Sequence, residues 1–257
     1  MKEDYQDAVY SDDAIIVTPL IFALELAVLY LAGSYAMARL AGQAGFRSGG
    51  VGLGRVLFYL LVLPGVTLHE AAHYLACLLT GTRVSRFVPF WPQRSANGRL
   101  LLGYVRHERR PFPVEAVIGL APILLNPLGV LVVTALLTPL TLAQLTDPHF
   151  EVVKEGILTS GFLTGSPLVA AAWIYLSLSF ALGSVPSRAD LSSVPAALLF
   201  FGVGVFLVGS LRGSPESTLT GALYDLSALA VRVYSLPAAV AVAAAVAIAL
   251  WGRATGH

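Results

Sequence analysis

Apolar residues run along this chain in blocks about as long as a bilayer is thick, separated by short polar stretches. A helix of about 20 apolar residues crosses a hydrocarbon core of about 30 Å. The first block covers residues 15–38, with one acid, Glu25, inside it. A carboxylate facing the bundle and hydrogen-bonded there is the ordinary role for such a residue. Residues 39–55 are Gly-rich and carry Arg39, Arg47 and Arg55. The second block covers 56–80, and Pro64 within it is expected to kink the helix or start a new one. Gly81 is the expected stop. The third block, 114–140, contains Pro122, Pro127 and the amide Asn126, a residue type that commonly bonds between membrane helices. The fourth, 167–182, ends at the polar break from Gly183 to Asp190. A fifth covers 195–208. The last, 219–251, is long enough for one tilted span or for two helices meeting near Pro237.

Residues 82–113 follow another rhythm. Arg83 to Trp91 alternates roughly between polar and apolar, as does Arg99 to Arg106, and Pro92 to Gly98 between them is turn chemistry. This predicts a small β-hairpin directly after the second helix. Seven Arg, with Phe90 and Trp91, suit a position at the membrane interface. Such a hairpin is either a solvated basic loop on lipid headgroups or an edge strand that pairs with an extended substrate. The predicted fold is therefore an all-α polytopic membrane protein of about six transmembrane helices with one interfacial β-hairpin.

Composition agrees. Of the 257 residues 56 % are hydrophobic and 12 % charged, and mean hydropathy is +0.76. Soluble domains carry about 25 % charged residues, so most of this chain belongs in a lipid bilayer. A net charge of +1 points to no nucleic-acid partner. The single cysteine, Cys77, permits no internal disulfide, and a lone Cys in an apolar helix is ordinarily a small buried hydrophobe. Residues 1–14 carry five acids against Lys2, the wrong charge for a cleaved signal sequence, and read as a short soluble acidic tail.

Chemistry concentrates at His69-Glu70-Ala71-Ala72-His73, an H-E-x-x-H run inside the second block. On a helix His69 and His73 are i and i+4, so both imidazoles leave one face and can share one tetrahedral zinc ion. Zinc activates water and polarises a carbonyl. Glu70, rotated about 100° from His69, can take the proton from that water as general base. A third ligand is required. The Arg-rich loop 82–113 belongs in the cytoplasm by the positive-inside rule, which puts the two histidines in the cytoplasmic half of their helix. The 183–194 break returns to the same side, so Asp190 is the expected third ligand, with Asp225 next and the acids of 147–155 after it.

An H-E-x-x-H inside a membrane helix, a following hairpin and a later helix break with Asp resemble the site-2 protease family of intramembrane zinc metalloproteases. The resemblance covers about residues 54–210 and implies a catalytic core there, flanked by a first helix and loop over 15–53 and a C-terminal helix or helix pair over 211–257. It implies one Zn2+ per chain held by His69, His73 and Asp190, with Glu70 as base. In that family the hairpin holds unwound substrate as an added strand, which implicates Phe87 and Val88. A G-P-x-x-N element is echoed by Ala121-Pro122 and Asn126, which implicates Asn126 in substrate binding. The family's second motif, N-x-x-P followed by L-D-G, reads here Gly183-Ser184-Val185-Pro186, then Asp190-Leu191. The expected activity is hydrolysis of a peptide bond in or near a transmembrane segment of a membrane-protein substrate. The expected place is the cell membrane, with the active site towards the cytoplasm. The alternative is a non-proteolytic membrane protein that keeps the fold and acts as a binding or regulatory partner.

Overall fold

In lipid only a segment that satisfies its own backbone N–H and C=O groups is stable, so apolar blocks become helices. The computed structural model describes residues 12–44, 52–94, 100–145, 166–187, 190 and 218–255. Its helices are α1 (Asp12–Gln43), α2 (Leu53–Leu79), α3 (Val114–Leu137), the single turn α4 (Leu142–Leu145), α5 (Pro167–Gly183) and α6 (Thr218–Thr255). Among the described residues four stretches are long and apolar enough to cross a membrane: Val17–Gln43, Leu53–Leu79, Val114–Leu137 and Ser227–Arg253.

The described residues thus show four such spans where about six are expected. The 17 residues of α5 are apolar but short for a full crossing. The chain around Pro237 forms one helix, not a pair. The block 195–208 lies outside the described residues.

A proline in a helix removes one N–H and leaves the carbonyl four residues earlier without its ladder partner. Pro64, Pro122 and Pro127 free the carbonyls of Leu60, Ile118 and Ile123, and a side chain from another helix takes each one. The Tyr175 hydroxyl of α5 donates to Leu60 O at 2.6 Å. His73 Nδ1 of α2 donates to Ile118 O at 2.8 Å. The Tyr234 hydroxyl of α6 donates to Ile123 O at 2.6 Å. At Pro64 the repair is double, because the Gly65 N–H also donates to Ser179 Oγ at 2.9 Å. The expected new start at Pro64 is therefore absent, and α2 runs unbroken from Leu53 to Leu79.

Helices α2, α3 and α5 pack on one another, and α1 packs chiefly along α6. Where α2 meets α5 the backbones touch. A Cβ on Gly65 would lie 1.9 Å from Ser179 O, and one on Gly183 would lie 2.5 Å from Gly65 O. Only glycine fits such a crossing, which is the general use of small residues between membrane helices.

Helix α2 stops where expected. Gly81 adopts φ 64°. Its N–H bonds to Leu78 O at 3.2 Å and that of Thr82 to Cys77 O at 2.8 Å, a Schellman ending that satisfies two terminal carbonyls. Four short strands follow: β1 (Val84–Val88), β2 (Gln93–Arg94), β3 (Leu100–Leu101) and β4 (Tyr104–His107). β1 pairs antiparallel with β4, with a register shift between Val84 and Arg86, and β2 pairs antiparallel with β3. The expected hairpin is thus two nested strand pairs.

Candidate metal centre

The site grows out of the packing stripe of α2. Phe58, Val62, Gly65, Val66, His69, His73, Ala76 and Cys77 are buried along one face of that helix. Their spacing of three and four keeps them on one stripe, so the packing that buries the apolar residues also buries the two histidines.

Each imidazole is fixed by a carbonyl that has no helical partner. His69 Nδ1 lies 2.8 Å from Gly183 O, at the C-terminal end of α5, where carbonyls lack a following turn. His73 Nδ1 lies 2.8 Å from Ile118 O, the carbonyl freed by Pro122. A carbonyl only accepts, so both Nδ1 atoms carry the proton and both Nε2 atoms turn bare lone pairs inward. The two Nε2 atoms are 3.2 Å apart.

Asp190 closes the group. Its Oδ2 lies 3.4 Å from His69 Nε2 and its Oδ1 lies 3.2 Å from His73 Nε2. The carboxylate is held by a reciprocal cap. Oδ2 accepts the Ser187 N–H at 2.6 Å, and Ser187 Oγ accepts the Asp190 N–H at 3.3 Å, the arrangement of a helix capping box.

His69, His73 and Asp190 could hold a metal ion, all three being buried with their ligand atoms within 4.8 Å of one another. A tetrahedral ion with bonds of about 2.0–2.1 Å needs ligand atoms about 3.3–3.4 Å apart. The 3.2 Å between the two Nε2 atoms is close to that edge, and the carboxylate meets them with different oxygens, Oδ2 at His69 and Oδ1 at His73. The same contacts also suit a protonated histidine paired with Asp190. With neutral histidines, three acceptors converge without a donor, and a cation resolves that conflict. A cofactor metal of this kind fits the residues present.

Glu70 is buried beside the group and lines the same cavity of about 240 Å³. Its Cγ lies 2.7 Å from where a Cβ on Gly103 would stand. Glycine there lets the turn before β4 close over the Glu70 side chain. The rest of the lining comes from Leu101, Tyr104, Val105 and His107 of the strands, from Gly103 between β3 and β4, and from Glu115, Ile118 and Gly119 of α3.

The structure brings together His69, Glu70, His73 and Asp190. It does not bring Phe87, Val88 or Asn126 to the cavity wall. Phe87 stacks on Tyr74 with ring centroids 4.8 Å apart, and Val88 sits on β1, paired with Tyr104. Asn126 is fully buried, its Nδ2 pointing to Pro122 O at 3.4 Å, and its Oδ1 has no hydrogen-bond partner among the described residues. That oxygen lies 2.7 Å from where a Cβ on Gly183 would stand, behind the carbonyl that His69 uses. Cys77 is buried among Ala72, Ala76, Ile118 and Ala121 as a small hydrophobe. Asp225 falls on α6 with its side chain outside the described residues, as do the acids of 147–155 altogether. Sequence reasoning missed His107 and Glu115, because nothing local marks a strand end and a helix start as neighbours of a distant turn. It also passed over Ser187-x-x-Asp190, whose capping-box spacing is legible.

Compared with protein-family models, curated proteins and solved structures, the chain matches none of them.

Proposed function

We propose that the chain is an intramembrane zinc endopeptidase that hydrolyses a peptide bond in or near the transmembrane segment of a membrane-protein substrate. The observation that carries this reading is the convergence of two Nε2 lone pairs and one carboxylate in a buried group, with Glu70 beside them. Zinc in such a site supplies a Lewis acid for the carbonyl and for water. The rest is the work of the chain's own residues. Ile118 and Gly183 fix the two imidazole tautomers through their carbonyls. Ser187 holds the Asp190 carboxylate. Glu70 accepts a proton from the attacking water and returns it to the leaving amine.

The resemblance to the site-2 protease family supports the same assignment, with one Zn2+ per chain and the site towards the cytoplasm of a multi-pass cell-membrane protein. Tyr104 and Val105 of β4 line the cavity together with Glu70, which favours β4 as the strand beside which an extended substrate backbone is held. A peptide in that slot lies against both Glu70 and the metal ligands.

The test is metal content by mass spectrometry and cleavage of a membrane-embedded reporter, on purified wild type, Glu70→Gln and Asp190→Ala. Wild type should hold about one zinc. Glu70→Gln should keep it and lose cleavage. Asp190→Ala should bind it more weakly. A wild type that carries no metal and cleaves nothing sinks the reading and favours a scaffold whose histidines pair with Asp190 as ions.

A further inference from the structure

Two arginines of the strands have no counter-charge among the described residues. Residues 82–113 hold seven Arg and one acid, Glu108. Glu108 pairs with Arg110 at 3.1 Å, and the nearby Glu115 accepts the Arg110 backbone N–H at 3.1 Å. Arg86 and Arg106 are both exposed, and neither meets a carboxylate among the described residues.

They are also neighbours. Arg86 on β1 and Arg106 on β4 are register partners, and residues directly opposite in an antiparallel pair stand about 5 Å apart. Side chains alternate between the faces of a strand. The next partners, Phe87 and Val105, face the helices: Phe87 stacks on Tyr74 of α2, and Val105 packs against the Ala72–Ile118 cluster. Arg86 and Arg106 therefore share the outward face with Tyr104. The Tyr104 ring centre lies 5.7 Å from the guanidinium carbon of Arg86 and 5.3 Å from that of Arg106. Like charges directly opposite destabilise a strand pair. The tyrosine ring offsets part of that, and an anion shared by both guanidiniums offsets more.

Depth in the membrane says which anion. Helix α2 has 27 residues. At 1.5 Å each that is about 40 Å, the full thickness of a bilayer with its headgroups. Tyr74 stands five residues before the end of α2, about 7 Å along the axis. The headgroup layer on each side is about 5–7 Å deep. The β1–β4 pair, held to α2 at Tyr74, is thus level with lipid phosphates. Trp91, 67 % exposed on the same hairpin, is a residue type that favours that layer. A guanidinium there takes a phosphate through two parallel N–H···O bonds.

We propose that Arg86 and Arg106, with Tyr104 beside both, form a binding site for the phosphate of an anionic lipid headgroup, in the leaflet at the C-terminal end of α2. A lipid docked there holds the hairpin at a set depth, and with it Gly103 and Tyr104 of the cavity lining. The site needs α2 in a bilayer and nothing of the peptidase chemistry.

The experiment counts lipids retained by the purified full chain in detergent, by native mass spectrometry, during titration with phosphatidylglycerol or with phosphatidylcholine. Thermal unfolding is measured on each preparation. Wild type should hold phosphatidylglycerol more tightly than phosphatidylcholine, whose choline cancels the phosphate charge. Two arginines near an anionic surface are worth about 30-fold in affinity. The double variant Arg86→Gln, Arg106→Gln should therefore bind phosphatidylglycerol about 30-fold more weakly at an unchanged unfolding temperature. Arg106→Gln alone, expected to be about 5-fold weaker, carries the test if the double variant does not fold. The double variant Arg83→Gln, Arg109→Gln removes the same charge from two other exposed arginines of the loop and should stay within a few-fold of wild type. Equal losses in the two double variants overturn the proposal. So does equal retention of the two lipids by wild type, or displacement of phosphatidylglycerol by millimolar inorganic phosphate. A Gln pair that keeps its lipid but no longer binds an acidic peptide assigns the arginines to a protein partner and overturns it too.

Discussion

Pro122→Ala tests whether a missing N–H on α3 orients a metal ligand on α2. In the native chain residue 122 cannot donate to Ile118 O, and His73 Nδ1 takes that carbonyl at 2.8 Å. Alanine restores the N–H and with it the ladder bond, so the carbonyl lone pair along the helix axis is occupied and His73 is displaced or loses its fixed tautomer. Outer-shell partners of this kind are worth about 10–100-fold in metal affinity, or about 1.4–2.7 kcal/mol. Stability should move the other way or not at all. Ala is preferred over Pro in a helix interior by about 3 kcal/mol. Against that, two methylenes vanish from a fully buried position, at about 0.8 kcal/mol each plus a cavity term. The variant is therefore expected to be at least as stable as wild type and yet to bind zinc about 10–100-fold more weakly. Competition against a chromophoric chelator in nanodiscs measures the affinity, and thermal unfolding of the metal-free protein measures the stability. Pro127→Ala is the control, because the carbonyl it would reoccupy, Ile123 O, serves Tyr234 on α6 and not a ligand. Wild-type affinity in Pro122→Ala, or an equal drop in Pro127→Ala, refutes the argument.

Gly65→Ala should fail to assemble, since its Cβ meets the Ser179 carbonyl at 1.9 Å and backbone cannot yield as a side chain can; reporter cleavage and monodispersity after extraction check this. Gly103→Ala should keep metal and lose cleavage, because its Cβ would stand 2.7 Å from Glu70 Cγ and 2.9 Å from Val88 O; metal content and cleavage rate read out the two effects separately. Ser187→Ala removes the cap of Asp190 and should cost about 0.5–2 kcal/mol of stability, with weaker metal retention on dialysis. Tyr234→Phe leaves Ile123 O without its donor and should cost about 1–3 kcal/mol in thermal unfolding, with the metal retained.

The helices were legible because their signal is length and apolarity: expected blocks at 15–38, 56–80, 114–140, 167–182 and 219–251 fall within a few residues of α1, α2, α3, α5 and α6. The three clustered site residues were legible for different reasons. His69 and His73 follow from helical spacing alone. Asp190 followed from counting crossings, and its meeting with the pair is a tertiary fact that spacing could only suggest. What stayed hidden depends on which element lies across from which. The proline rule names Leu60, Ile118 and Ile123 among the freed carbonyls from sequence alone, yet nothing in the sequence says that Tyr175, His73 and Tyr234 answer these three. Phe87 and Val88 lie on β1, while the cavity is lined by residues of β4. Alternation tells two faces apart; it does not say which strand turns towards a helix.

The three freed carbonyls answered by side chains of other helices also bear on how this molecule can be built. A span that enters lipid with an unanswered carbonyl carries a penalty of several kcal/mol until its donor arrives. Ile118 finds His73 in a helix already made. Leu60 waits for Tyr175 on α5, 115 residues later, and Ile123 for Tyr234 on α6, 111 residues later. In a bilayer α2 would thus be incomplete until α5 packs on it, and α3 until α6 does. Removing α6 would leave the Ile123 carbonyl without the Tyr234 hydroxyl that answers it.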